Sequence, residues 1–207
     1  MRYAKVAEKF MIKSAILDSD LALRLGNVTF ARAIEEIIPN VIEILYIHEY
    51  VFSKEILYPQ TVKEQLQSLV NSGNSLIVNR ETILNSCPER LVTYDNTIRL
   101  LRDHMKDTRQ NGKNWGETLS LSYAKAMGIP YILSDESKLQ NVVDMVLNLG
   151  DEEVSNPDDI KVLRISDFII LMKSSGNFKR KFAKATWVAS GLPARTFDTQ
   201  LWPKPID

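Results

Sequence analysis

Five short apolar runs, each followed by a stretch of helical period, constrain the fold of this chain more than any other feature. The runs are IKSAIL (12–17), VIEILYI (41–47), SLIVN (75–79), YIL (131–133) and IKVLRI (160–165). They are too short for membrane spans or core helices, and turn or polar residues bound them, as expected of buried strands. The intervening segments read as helices. LALRLGN follows the first run. Phe30, Ile34, Ile37 and Ile38 share a face that Pro39 ends, and a short helix over His48–Leu57 carries Glu49 and Glu55. Thr61–Glu64 has the form of a capping box opening a helix that runs to the Asn71–Gly73 turn. The segment Arg80–Asp107 is helical again, broken at Pro88, with a core stripe of Leu91, Tyr94, Ile98, Leu101 and Met105. Gln110–Lys113 reads as a turn, Lys138–Leu149 as a helix, 150–159 as a polar loop, and Ser166–Met172 as the start of another helix.

Strand and helix alternating in this way predict an α/β fold. The expected form is a Rossmann-like three-layer sandwich with a central, mainly parallel sheet over residues 1–175. Residues 176–207 stand apart as a helical C-terminal extension, with a basic helix over 177–192 and an irregular tail ending LWPKPID.

A chain of 207 residues buries a sizeable core as one domain. Lys plus Arg and Asp plus Glu each number 26, so overall charge gives no sign of a nucleic-acid partner. The one cysteine, Cys87, forms no internal disulfide, which fits a reducing compartment. No apolar run approaches the ~20 residues of a membrane span. The opening MRYAKVAEKFMIKSAIL lacks the core and small-residue flank of a signal peptide. The expectation is a cytoplasmic protein with no membrane partner.

The stretch Asn114–Glu136, NWGETLSLSYAKAMGIPYILSDE, is the most informative for function. Asn114 is placed to cap a helix, with Glu117 three residues on as its capping-box partner. Trp115, Leu119, Tyr123 and Ala126 form the apolar face, and Gly128 with Pro130 ends the helix. Ser134, Asp135 and Glu136 follow the next strand at its carboxyl end, where open α/β sheets place their ligands. Asp18, Ser19 and Asp20 follow the first strand in the same way. In a parallel sheet those ends share an edge, so Asp18, Asp135 and Glu117 are expected to converge. Clustered carboxylates repel one another, and a divalent cation such as Mg²⁺ relieves the conflict and supports displacement at phosphorus. Each of these acids is also a satisfactory helix cap, so both roles stand for each.

The DSD turn after a buried strand, followed by WGETLSLSYAKAMGIPYILSDE, resembles the PIN-domain nucleases. The resemblance covers about residues 12–170 and rests on Asp18, then Gly116-Glu117 with Ala124 and Ala126, then Ser134-Asp135-Glu136. It implies a metal-dependent endoribonuclease that hydrolyses single-stranded RNA with Mg²⁺ or Mn²⁺. Asp18, Glu117 and Asp135 would hold the metal. Many members of that family are toxins of bacterial toxin–antitoxin pairs, so an antitoxin protein is an implied partner. A further family acid lies in the helix after the second strand, where Glu55 is the best match and Glu49 the alternative. Asp20, Ser134, Glu136 and Asn114 are candidates for supporting contacts. The stretch 81–107 and the C-terminal extension depart from the short toxin pattern.

Other readings weigh less. The Asp18-Ser-Asp20 spacing also suits a haloacid-dehalogenase phosphatase, but Ala22 stands where that family has Thr or Val. His48 and His104 have no Cys or His neighbours for a zinc site. Lys179, Arg180, Lys181 and Lys184 could track phosphates, with Phe178, Phe182 or Trp187 stacking on bases; a solvated helix face is the plainer reading. An exposed apolar helix face would suit a homodimer. A PIN-like RNA- or protein-binding regulatory module with little nuclease activity is the alternative function.

Overall fold

The computed structural model describes residues 11–28, 30–105, 114–148 and 159–204. The N-terminal segment, the 110–113 turn, the 106–107 helix end, Leu149 and all of the 150–159 loop except Asp159 lie outside the described residues. The described chain runs β1 (Ile12–Leu17), α1 (Ser19–Gly26), α2 (Ala33–Val41), β2 (Ile42–His48), a π turn (Val51–Glu55), α3 (Gln60–Asn71), β3 (Ser75–Val78), α4 (Arg80–Ser86) and α5 (Leu91–Met105). It continues through α6 (Trp115–Met127), β4 (Tyr131–Leu133), α7 (Leu139–Val146), β5 (Lys161–Leu163), α8 (Ile165–Ser175), α9 (Arg180–Ala189), the single turn α10 (Ala194–Thr196) and a second π turn (Phe197–Leu201).

The sheet has five strands in the order β3-β2-β1-β4-β5, and all four pairings are parallel. This is the Rossmann-like three-layer arrangement expected from the alternation. The apolar runs belong to strands because alternate residues face opposite layers. On β1, Ala15 and Leu17 enter a core with α1, α2, α3, α8 and α9, while Ile16 enters a second core with α5, α6 and α7. On β4, Leu133 joins the first core and Ile132 the second. Among the described residues, no helix is long and apolar enough to cross a membrane.

Several local expectations are corrected. α2 runs through Pro39 to Val41, because burial of Ile34, Ile37, Ile38 and Val41 outweighs the hydrogen bond that proline removes. Phe30 lies outside that helix, exposed, with its ring edge-on to Phe182. α3 begins at Gln60 behind Pro59, and its N-terminus has no side-chain cap, so the Thr61–Glu64 box does not form. A capping box does form at α4. Thr82 N–H donates to Asn79 Oδ1 at 3.0 Å, and Asn79 N–H donates to Thr82 Oγ1 at 2.8 Å.

The C-terminal residues share the first core, to which Ala183, Trp187 and Phe197 belong. The tail expected to be irregular coils into α10 and the second π turn. Asp198 accepts from both Arg180 and Lys184, Arg180 also donates to the Trp202 carbonyl at 2.7 Å, and its guanidinium lies over the Phe197 ring. These long-range contacts carry no sequence period. They also occupy two of the four cations assigned to nucleic acid, leaving Lys179 and Lys181 exposed. The start of α9 lies at the sheet edge where β2 begins, since Asn177 donates to Asn40 at 3.1 Å. That is the edge opposite the carboxyl ends of the strands.

His48, at the end of β2, is buried and neutral. Its Nδ1 accepts the Tyr50 N–H at 3.1 Å, so Nε2 carries the proton and faces the Tyr94 hydroxyl at 3.2 Å. Burial lowers its pKa to about 4. The unfolded chain takes up this proton near pH 6.5, so the contribution to stability is full above that value. It is lost as pH falls from 6.5 toward 4, amounting to about 3 kcal/mol at the bottom of the window. Urea unfolding at pH 7.5 and pH 4.5 should show this loss in the wild type and a flatter profile in His48→Gln.

Candidate functional site

The strand order reverses direction of growth between β1 and β4, and their carboxyl ends open a crevice there. Asp18 is the first residue after β1, and its N–H donates to the Leu133 carbonyl of β4 at 3.0 Å. It stands at the N-cap position of α1 with extended backbone, but its side chain makes no capping hydrogen bond. The carboxylate turns inward and is almost wholly buried, at 2% exposure. Ser134 Oγ donates to Oδ2 at 3.0 Å, while Oδ1 has no hydrogen-bond partner among the described residues. A buried carboxylate oxygen without a partner is costly and needs an explanation. Burial pushes the Asp18 pKa well up, helped by the negative charges of Glu117, Asp20 and Glu55; the nearby Ser19 amide opposes them.

Glu55 ends the π turn after β2. Its Oε1 accepts the Gly116 N–H at 3.1 Å, in the first turn of α6, where the helix dipole favours a negative charge. A Cβ built on Gly116 would overlap both oxygens of the Glu55 carboxylate, so the glycine is what permits this approach. Glu49 turns elsewhere, accepting from Asn79 at 2.8 Å. Of the two, Glu55 is the one whose charge acts on Asp18. Glu117, half-buried on α6, supplies the largest charge acting on Asp18. Asn114 does not form the expected box with it. Asn114 has φ 65°, a left-handed conformation, and makes no side-chain cap, because a capping side chain requires extended backbone at that position. Its carbonyl instead accepts from the Thr118 N–H at 3.0 Å and hydroxyl at 2.9 Å.

Asp20 and Asp135 differ in placement from the sequence reading. Asp20 accepts the Asp135 N–H on both oxygens, at 3.0 and 2.9 Å. Its pKa is raised, chiefly by burial and partly by the charge of Asp135, with the Asp135 and Leu21 amides opposing. The Asp135 carboxylate pairs with Arg24 Nε at 2.8 Å, and the Ile165 N–H at the start of α8 approaches its other oxygen at 3.4 Å. Asp135 thus sits at the expected edge with its charge engaged away from Asp18. Glu136 is exposed, and its Oε1 lies 3.5 Å from the Lys138 N–H ahead of α7.

The charges of Glu117, Asp20 and Glu55 all act on Asp18, whose carboxylate accepts from Ser134. Arg24 was not foreseen as part of the site, and Gly116 entered the sequence reading only as part of the Gly116-Glu117 motif, without its contact to Glu55. For Arg24 a signal existed: it lies four residues after Asp20, on the same face of α1.

The oxygens gathered here are carboxylate oxygens, the chemistry that hard divalent cations prefer, and they include the buried Oδ1 of Asp18. Among the described residues, no group of three or more His, Cys, Asp or Glu stands as a ready-made metal-binding set. The set fits a cation in chemistry and is open in geometry. No protein-family model matches the chain, and no curated protein or solved structure matches it.

Proposed function

We propose that this protein is a metal-dependent endoribonuclease of PIN-like type, acting on single-stranded RNA. The observation that supports the reading is the buried carboxylate of Asp18, with Oδ1 unpartnered among the described residues and the charges of Glu117, Asp20 and Glu55 acting on it, at the point where a parallel sheet reverses. A buried polar atom without a partner calls for an explanation, and a functional site supplies one. Asp18 and Glu117 would hold Mg²⁺ or Mn²⁺, with Glu55 at its flank. A cation there would neutralise the cluster and supply an acidified water and charge stabilisation at the phosphate. The rest falls to the chain. The Ser134 hydroxyl fixes the orientation of Asp18, Asp20 holds the turn that carries Ser134, and the Gly116 N–H holds Glu55 in place.

The test is cleavage of end-labelled single-stranded and duplex RNA in Mg²⁺ or Mn²⁺. Wild type is expected to cut the single strand, to stop with chelator, and to lose at least a hundredfold in rate as Glu55→Gln. Lack of cleavage in either metal would contradict the proposal.

A second reading, an RNA- or protein-binding module on the same fold, is favoured by one observation: the Asp135 carboxylate is tied to Arg24. Binding of RNA that survives Asp18→Asn, without cleavage, would support it.

A further inference from the structure

We infer that the rim around Glu55 is the path of a single RNA strand, on which Tyr58 stacks against a base while Lys63 and Arg102 hold phosphates on either side. The inference rests on the RNA reading above and supplies contacts that reading does not contain. Tyr58 is 82% exposed and its neighbour Leu57 50%. The segment that carries them is pinned at both ends. Ile56 and Val62 are fully buried, the Ile56 N–H donates to the Val51 carbonyl, the Leu57 N–H to the Glu55 carbonyl and the Val62 N–H to the Pro59 carbonyl, each at 3.0 Å. The tyrosine is therefore carried on a fixed backbone close behind Glu55 in the chain.

Cations stand on both layers at the same edge. Lys63, in the first turn of α3, has its ammonium 5.2 Å from the centre of the Phe52 ring, which lies in the π turn that ends in Glu55 and packs on the first core. Arg102, in the last turn of α5, has its guanidinium 5.7 Å from the centre of the Trp115 ring, which belongs to the second core and directly precedes Gly116, the donor to Glu55. Each ring holds its cation in place. The two pairs flank the Glu55–Gly116 contact from opposite faces of the sheet, and the exposed Lys54 adds a charge beside Glu55. The acids of the site repel a phosphate chain, and these cations offset that repulsion. The apolar patch is too small for a protein partner. Exposed polar side chains of Lys54, Gln60 and Thr61 bound Leu57 and Tyr58, whereas a specific protein interface takes about 800 Å² from each side. One base needs only one ring.

The probe is a fluorescein-labelled single-stranded RNA, titrated by anisotropy in EDTA at several salt concentrations, so that binding is read apart from cleavage. Wild type is expected to bind it. Tyr58→Ala is expected to weaken binding about tenfold and Tyr58→Phe to keep wild-type affinity. On a strand of abasic residues wild type and Tyr58→Ala are expected to bind alike, which separates stacking from phosphate contact. Lys63→Gln and Arg102→Gln are each expected to flatten the logarithmic salt dependence by about 0.7, while Lys179→Gln, at the opposite edge, is expected to leave it unchanged. Equal RNA binding by wild type and Tyr58→Ala would overturn the path while leaving the RNA reading standing, and would give the Leu57–Tyr58 patch to a protein. Failure of wild type to bind the strand would overturn both.

Discussion

Replacing Asp18 with Asn is expected to make the protein more stable and functionally silent at once. The wild-type site buries an acid with one oxygen unpartnered among the described residues and three other acids acting on it. An amide of the same shape keeps an oxygen to accept from Ser134 and offers N–H donors toward Glu117, Asp20 and Glu55. Removing an uncompensated buried charge in this way is worth on the order of 2 kcal/mol. For a domain of this size that is roughly 4–8 °C in melting temperature. The pH dependence should change with it. A pKa raised in the folded state means that the native protein holds a proton the unfolded chain has released. The Asp18 contribution is therefore greatest below its unfolded pKa of 3.8 and declines as pH rises through the raised folded value. Asp18→Asn should abolish that decline. The His48 contribution runs the other way, falling as pH drops below 6.5, so the wild type should lose stability at both ends and the variant mainly at the acid end. If Asp18 were simply a helix cap, the same substitution would be close to neutral in stability. Thermal melts of both proteins from pH 4 to pH 8 check this.

Gly116→Ala should cost activity and leave the fold nearly untouched. The atoms nearest the added methyl are the end of the Glu55 side chain, a flexible group that can rotate away. Gly116 lies in the first turn of α6, and alanine is favoured over glycine inside helices by up to about 1 kcal/mol. The melting temperature should therefore stay within a few degrees of wild type. Glu55, however, loses both its space and its hydrogen bond from the Gly116 N–H. A misplaced acid in a site of this kind costs about a hundredfold in rate. Loss of RNA cleavage with an unchanged melt is the expected result, and wild-type cleavage by Gly116→Ala would show that Glu55 takes no part. The paired Glu49→Gln should retain activity, since that carboxylate is turned to Asn79.

The sheet was legible because strand burial leaves a period-two or continuous apolar signature that a short window displays. All five strands follow from it, as does the placement of Asp18, Ser134 and Asp135 at one edge. Side-chain direction was not legible, because a strand-end rule fixes where a Cα lies and leaves χ angles to partners elsewhere in the chain. Asp135 turns to Arg24 for this reason, and Asp20, read as a supporting acid, becomes the hinge of the β4–α7 turn. Asn114 is a related case, since its sequence suits a cap while its backbone is left-handed. The C-terminal cations show the same limit. A run of Lys and Arg is a local pattern, but Asp198 lies well down the chain from Arg180 and Lys184 and takes them for the tail. The direction of α9 then sets Lys179 and Lys181 at the edge away from the acids, so a substrate strand at the acidic site would need other contacts.

The central claim is that the buried carboxylate of Asp18 and the half-buried acids acting on it form a cation site, and the most direct measurement is a thermal shift with Mn²⁺ on wild type and Asp18→Asn side by side. A cation that binds only the folded state stabilises it by about 2.7 kcal/mol at a hundred times its dissociation constant. The wild type should rise by several degrees with Mn²⁺, starting from the lower melting temperature. Asp18→Asn should start higher and not respond. An equal shift in both proteins, or none in wild type at millimolar Mn²⁺, would contradict the claim.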